Sequence, residues 1–109
     1  MAGSPSDTPV LDLLASMTAD SLDASTLDAQ SLMLVRIAAL AAVDAPPFSY
    51  VVNLAAAADA GIDVEQVRGV LTAIAPIIGT PRTVSATGNI VEALDIAIET
   101  AELDDQGGQ

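Results

Sequence analysis

The chain reads as an all-α protein of about five helices, on three observations. Apolar residues recur at helical spacing, no segment shows the period-2 alternation of a strand, and every break carries proline, glycine or a capping residue. At 109 residues there is room for one domain only. Hydrophobic residues make up 51% of it, yet it holds one Phe, one Tyr and no Trp, so its core must be aliphatic and alanine-rich, a composition suited to closely packed helices.

The elements follow in order. Thr8 and Pro9 supply a cap and an N1 proline for a first helix, whose Val10, Leu13, Leu14 and Met17 form one stripe and which is predicted to end near Thr18 to Asp20. Ser25 and Asp28, three apart before an apolar run, open a second helix that continues to about Val43, where Pro46-Pro47 stops it. A third runs from about Pro47 to Ala60 and closes at Gly61. Asp63 and Gln66 are placed as a reciprocal cap for the fourth, whose Val64, Val67, Leu71, Ile74 and Ile78 step by three and four, with Pro76 in the last turn. Gly79-Thr80-Pro81 repeats the stop, cap and proline device before a fifth helix to about Leu103. Its predicted core stripe is Thr87, Val91, Leu94, Ile98 and Ala101, opposite an acidic stripe of Glu92, Asp95, Glu99 and Glu102. Gly69 and Gly88, inside helices, are expected to permit close helix contact rather than to form a phosphate loop. The domain organisation is thus a flexible segment over 1–8, a helical domain over 9–103 and an acidic, glycine-containing tail over 104–109.

Composition removes most familiar chemistries. Fifteen acids against three arginines give a net charge of −12, which repels nucleic acids and anionic membranes. With no Cys and no His, disulfides, thiol redox chemistry and the commonest zinc ligands and neutral-pH acid/base groups are absent. No acidic metal-loop spacing occurs either, so neither metal nor cofactor is expected. The N-terminus lacks the basic, then apolar, pattern of a signal peptide, and the longest apolar run, Leu32 to Val43, is far short of the ~20 residues of a membrane span. A cytoplasmic location is expected.

The second helix is apolar on every side except at Arg36, and four short neighbours can hardly cover it. Self-association, with this helix near the interface and Ile37 and Leu40 in the contact, is the expected remedy.

Four segments carry a family resemblance: Leu34-Val35-Arg36-Ile37-Ala38-Ala39-Leu40; Ala45-Pro46-Pro47; Ala58-Asp59-Ala60-Gly61-Ile62-Asp63-Val64-Glu65-Gln66-Val67; and Ala75-Pro76-Ile77-Ile78-Gly79-Thr80-Pro81. Together, over about Leu27 to Glu99, they resemble the carboxymuconolactone decarboxylase family, which includes the alkylhydroperoxidase D-like proteins. The resemblance implies an alkylhydroperoxidase D-like helical bundle and a homotrimer or homohexamer. Redox members of the family carry C-x-x-C-x-x-x-H before the Ala-Gly turn; here Pro46, Ser49 and Asn53 stand at those three places. Where an upstream acid would fall, between Met33 and Ile37, only Arg36 ionises. Peroxidase activity, which the family name suggests, lacks its thiolate, and the decarboxylase histidine is replaced by an amide that does not titrate.

The polar groups left to line a family-type pocket are Arg36, Ser49, Tyr50 and Asn53. Ser49 and Asn53, four apart, share a helix face and are expected to converge. Arg36 either pairs with an acid such as Asp44, Asp59, Glu65 or Glu92, or clamps a small organic acid. Tyr50 suits a core or interface position better than an acid/base role, and Asn53 a hydrogen-bonding role better than a catalytic one. The function expected is an oligomeric binding or structural module without thiol chemistry, with a small organic acid as its ligand. The alternative is a histidine-independent lyase or decarboxylase using Arg36, Tyr50 and Asn53.

Overall fold

The computed structural model describes residues 7–107 in backbone and 7–96 in side chain. Five helices follow in order: α1 (Pro9–Ala24), α2 (Ala29–Ala42), α3 (Pro47–Asp59), α4 (Val64–Ile78) and α5 (Thr80–Gly107). No strand occurs among the described residues, so the chain is all-α as its sequence predicts. Helix α2 packs on α3, α4 and α5, and α5 also packs on α3 and α4, while α1 stands largely apart from this four-helix body.

Local chemistry sets the helix ends. Asp28, not Ser25, caps α2: its carboxylate accepts from the Ser31 amide at 2.8 Å and from the Ser31 hydroxyl at 3.0 Å. Ser25 instead lies just past α1, accepting from the Leu27 amide at 3.1 Å. Helix α1 therefore runs four residues beyond the predicted Asp20, because nothing from Ser21 to Ala24 breaks it. At its start, Thr8 makes no side-chain cap; its hydroxyl reaches the Asp12 carboxylate at 3.3 Å.

Helix α2 ends before the prolines act. The Ala45 amide donates to the Leu40 carbonyl at 2.9 Å and the Asp44 amide to the Ala41 carbonyl at 3.2 Å, a Schellman closure with Asp44 in the left-handed region at φ 56°. The same closure ends α3, where Ile62 donates to Ala57 at 2.9 Å, Gly61 donates to Ala58 at 3.0 Å and Gly61 takes φ 87°. The predicted reciprocal cap of α4 is present: Gln66 amide to Asp63 carboxylate at 2.8 Å, and Asp63 amide to Gln66 Oε1 at 3.0 Å.

The core is small and lies in two clusters. Leu32, Met33, Ile37, Ala57 and Ile62 form one; Ala45, Tyr50, Ile90 and Ala93 form the other; Leu54 and Val67 pack against both. Ile37 is fully enclosed within its own chain and Leu40 is half-buried against the second cluster, so neither lies open as an interface residue should. The outward side of α2 is marked instead by Val35, Ala39 and Val43, all exposed.

Of the predicted stripes, that of α1 is uncovered, that of α4 is half-buried apart from the exposed Val64, and that of α5 is shifted. In α1, Val10, Leu13, Leu14 and Met17 are all at least half exposed and no residue is buried. Helix α4, with the most regular apolar spacing in the sequence, buries none of its residues either. In α5 the core positions are Ala86, Ile90 and Ala93, not Thr87, Val91 and Leu94, which are exposed. Ile90 and Ala93 there pack with Ala45 and Tyr50. The side chains of Ile98, Ala101, Glu99 and Glu102 lie outside the described residues, as does residue 1–6 of the N-terminal segment; the helix itself continues past Leu103 to Gly107. A Cβ on Gly69 or Gly88 would meet nothing within 4 Å, so neither glycine serves a close helix contact within the chain.

Candidate functional site

Helices α1, α2 and α3 border an open, shallow cleft of ≈ 330 Å³ that two of the four candidate residues line. Arg36, from α2, and Asn53, from α3, are its polar floor; Leu14 and Met17 of α1 and Leu40 of α2 give it apolar walls, and Ser21 lies at the α1 side.

Arg36 is half-buried and forms no ion pair among the described residues. Its Nη2 donates to the Thr18 carbonyl oxygen at 3.3 Å, a long bond to a neutral acceptor and a contact between α1 and the body. The expected pairing with Asp44, Asp59, Glu65 or Glu92 is therefore not made. Glu65 pairs with Arg68 instead, one turn away on the same helix, and Asp44 accepts from the Ser85 hydroxyl at 2.6 Å.

Asn53 Nδ2 donates to the Ser49 carbonyl at 2.8 Å, so one amide hydrogen is spent on the preceding turn. Its Oδ1 accepts no bond from any described residue, and Asn53 is one of the residues lining the cleft. Ser49 and Asn53 thus meet through the Ser49 backbone, not through converging side chains, and Ser49 does not line the cleft. Pro46, at the first of the three motif places, is the exposed cap residue of α3.

Tyr50 points the other way. It is fully buried in the cluster with Ala45, Ile90 and Ala93, and its hydroxyl has no hydrogen-bond partner. Burial, aided by the negative charge of Asp44, pushes its phenol above the usual tyrosine range. This is the core position the sequence favoured, and it removes Tyr50 from the cleft.

Sequence reasoning missed the contribution of α1, whose Leu14, Met17, Thr18 and Ser21 complete the cleft. The signal was present, since residues 14, 17, 18 and 21 lie on one helix face; what it faces is a long-range contact that periodicity does not encode. Among the described residues no group of His, Cys, Asp and Glu is arranged to hold a metal ion. No family model, curated protein or solved structure matches the chain.

Proposed function

We propose that the chain is a self-associating, carboxymuconolactone decarboxylase-like helical protein that binds a small organic acid in the Arg36 cleft and carries out no thiol redox chemistry. One observation carries this reading: a half-buried guanidinium lining the cleft, whose hydrogen-bond partner is a carbonyl oxygen at 3.3 Å and not an acid. A carboxylate would give Arg36 the charged partner that the chain withholds, and the walls of Leu14, Met17 and Leu40 suit a compact apolar body on that acid. A trimer or hexamer and a cytoplasmic setting belong to the same proposal. No helix among the described residues is long and apolar enough to cross a membrane.

The lyase alternative draws no support from the cleft, because neither a carboxylate nor a phenol lines it. Thermal unfolding with benzoate and benzamide tests the binding reading. Benzoate should raise Tm and its neutral amide should not, and Arg36→Gln should abolish the response. A wild-type protein indifferent to benzoate, butyrate and succinate alike would sink the proposal.

A further inference from the structure

The cleft that Arg36 lines has two fixed walls and one loose wall. Helices α2 and α3 pack on each other and on α5, whereas α1 stands largely apart from the body. Half of the residues lining the cleft nonetheless come from α1, with Leu14 and Met17 as its apolar part. Both stay exposed there, by 50% and 56%, and α1 buries none of its residues. It is tied to the body through the 3.3 Å bond from Arg36 Nη2 to the Thr18 carbonyl oxygen.

Two physical demands meet at this wall. A 16-residue helix with no covered face is marginal in water, so α1 needs a contact to stay folded. A small acid is held when most of its surface is covered, and an open, shallow cleft leaves it wet. One movement answers both, the closing of α1 toward α2 and α3.

We propose that α1 is the lid of the Arg36 cleft, closing over an organic acid whose carboxylate Arg36 holds and whose apolar body lies against Leu14 and Met17. The inference deepens the binding part of the proposed function and rests on it. The chain itself identifies what α1 closes on: residues 14, 17, 18 and 21 share one helix face, that face lines the cleft, and Arg36 already reaches Thr18 on it. Guanidinium chemistry allows both partners. Arg36 has five N–H donors and the Thr18 carbonyl engages one group, so a carboxylate can take others without releasing α1. The hinge is the connection over 25–28, beyond which the Asp28 cap fixes the start of α2. By linkage, whatever α1 adds to the affinity for the acid, the acid adds to the docking of α1.

Hydrogen exchange on the full chain, read by mass spectrometry, tests the lid apart from the site. In the free protein the amides of residues 9–24 should exchange about tenfold or more faster than those of residues 32–42, which belong to the packed body. Whichever of benzoate, butyrate and succinate raises Tm most should slow exchange over 9–24 by about tenfold or more. A Leu14→Ser, Met17→Ser double variant should lose that slowing and bind the acid about tenfold more weakly. Val10→Ser, on α1 but outside the cleft, should keep both. Leu14 and Met17 are not buried, so the double variant keeps its body, which slow exchange over 32–42 verifies.

If none of the three acids moves Tm, the binding reading falls and the lid falls with it. An acid that raises Tm through Arg36 but leaves exchange over 9–24 unchanged, or that the double variant binds as tightly as the wild type, overturns the lid and leaves the binding site standing. So does a free protein in which residues 9–24 exchange as slowly as residues 32–42, because a wall already fixed has no closing left to make.

Discussion

Arg82 Nη1 donates to the Ala42 carbonyl oxygen at 2.9 Å, joining the start of α5 to the end of α2 across 40 residues of sequence. One turn on, Ser85 donates to the Asp44 carboxylate at 2.6 Å, and a further turn on, Asn89 Nδ2 donates to the Ala45 carbonyl at 3.1 Å. One face of α5 thus satisfies the connection from α2 to α3, the point from which Arg36 and Asn53 diverge to line their cleft.

The three bonds differ in worth because their surroundings differ. Ala45 is buried, so Asn89→Ala leaves its carbonyl without water and should cost about 1 kcal/mol in urea unfolding at neutral pH. Arg82→Ala acts at an exposed site where water replaces the donor, and should cost clearly less. A larger loss from Arg82→Ala than from Asn89→Ala would contradict this ranking.

The glycines divide by backbone angle. Gly61 has φ 87°, and a Cβ there would sit 3.0 Å from Gln30 Nε2, so Gly61→Ala should destabilise by about 1–2 kcal/mol. Gly69 and Gly88 lie inside helices with open space around them, and each change to Ala should stabilise by about 0.5–1 kcal/mol. Chemical denaturation of the three single variants measures both signs; destabilisation by Gly69→Ala or Gly88→Ala would mean that a neighbouring chain fills that space.

Helix number, most helix starts and the Gly61 stop were legible because caps, prolines and glycine act within a few residues of sequence. The end of α1 lies past Asp20 because no local breaker stands there, and the α5 core falls on Ala86, Ile90 and Ala93, beside the expected Thr87, Val91 and Leu94, because spacing alone does not fix which of two adjacent stripes faces the body. At the cleft, spacing brought out Arg36 and Asn53 but sent Ser49 to the wrong place and could not supply α1. Which partner a charged side chain meets is decided by helices distant in sequence: Arg36 finds the Thr18 carbonyl, not an acid.

Salt should stabilise this protein. Its net charge of −12 is self-repulsion that screening relieves. The attraction that salt would weaken is slight, for Arg68–Glu65 is exposed, while Arg36 and Arg82 bind carbonyl oxygens. Tm should rise from low salt through about 0.15 M and beyond, at fixed protein concentration. A falling Tm in calorimetry would show that charge pairs outweigh the general repulsion.

Alkaline pH isolates a single group. The chain has no Lys and no Cys and holds one Tyr, so above the range of the terminal amine Tyr50 is the side chain left to titrate before the arginines. Burial, with Asp44 nearby, raises its folded pKa above the ordinary 10.0. The folded state then holds the phenol proton more tightly than the unfolded state does. Its stabilising contribution is complete below the ordinary value and is lost as pH rises through the raised one. The urea midpoint of the wild type should therefore hold from pH 8 to about 10 and fall above it. Tyr50→Phe removes both the titration and a buried hydroxyl that has no partner, and should raise stability at neutral pH by about 1 kcal/mol. It should also flatten the alkaline limb. A Tyr50→Phe protein that is less stable at pH 7 would show that the hydroxyl has a partner, and one with an unchanged alkaline fall would place the titration elsewhere.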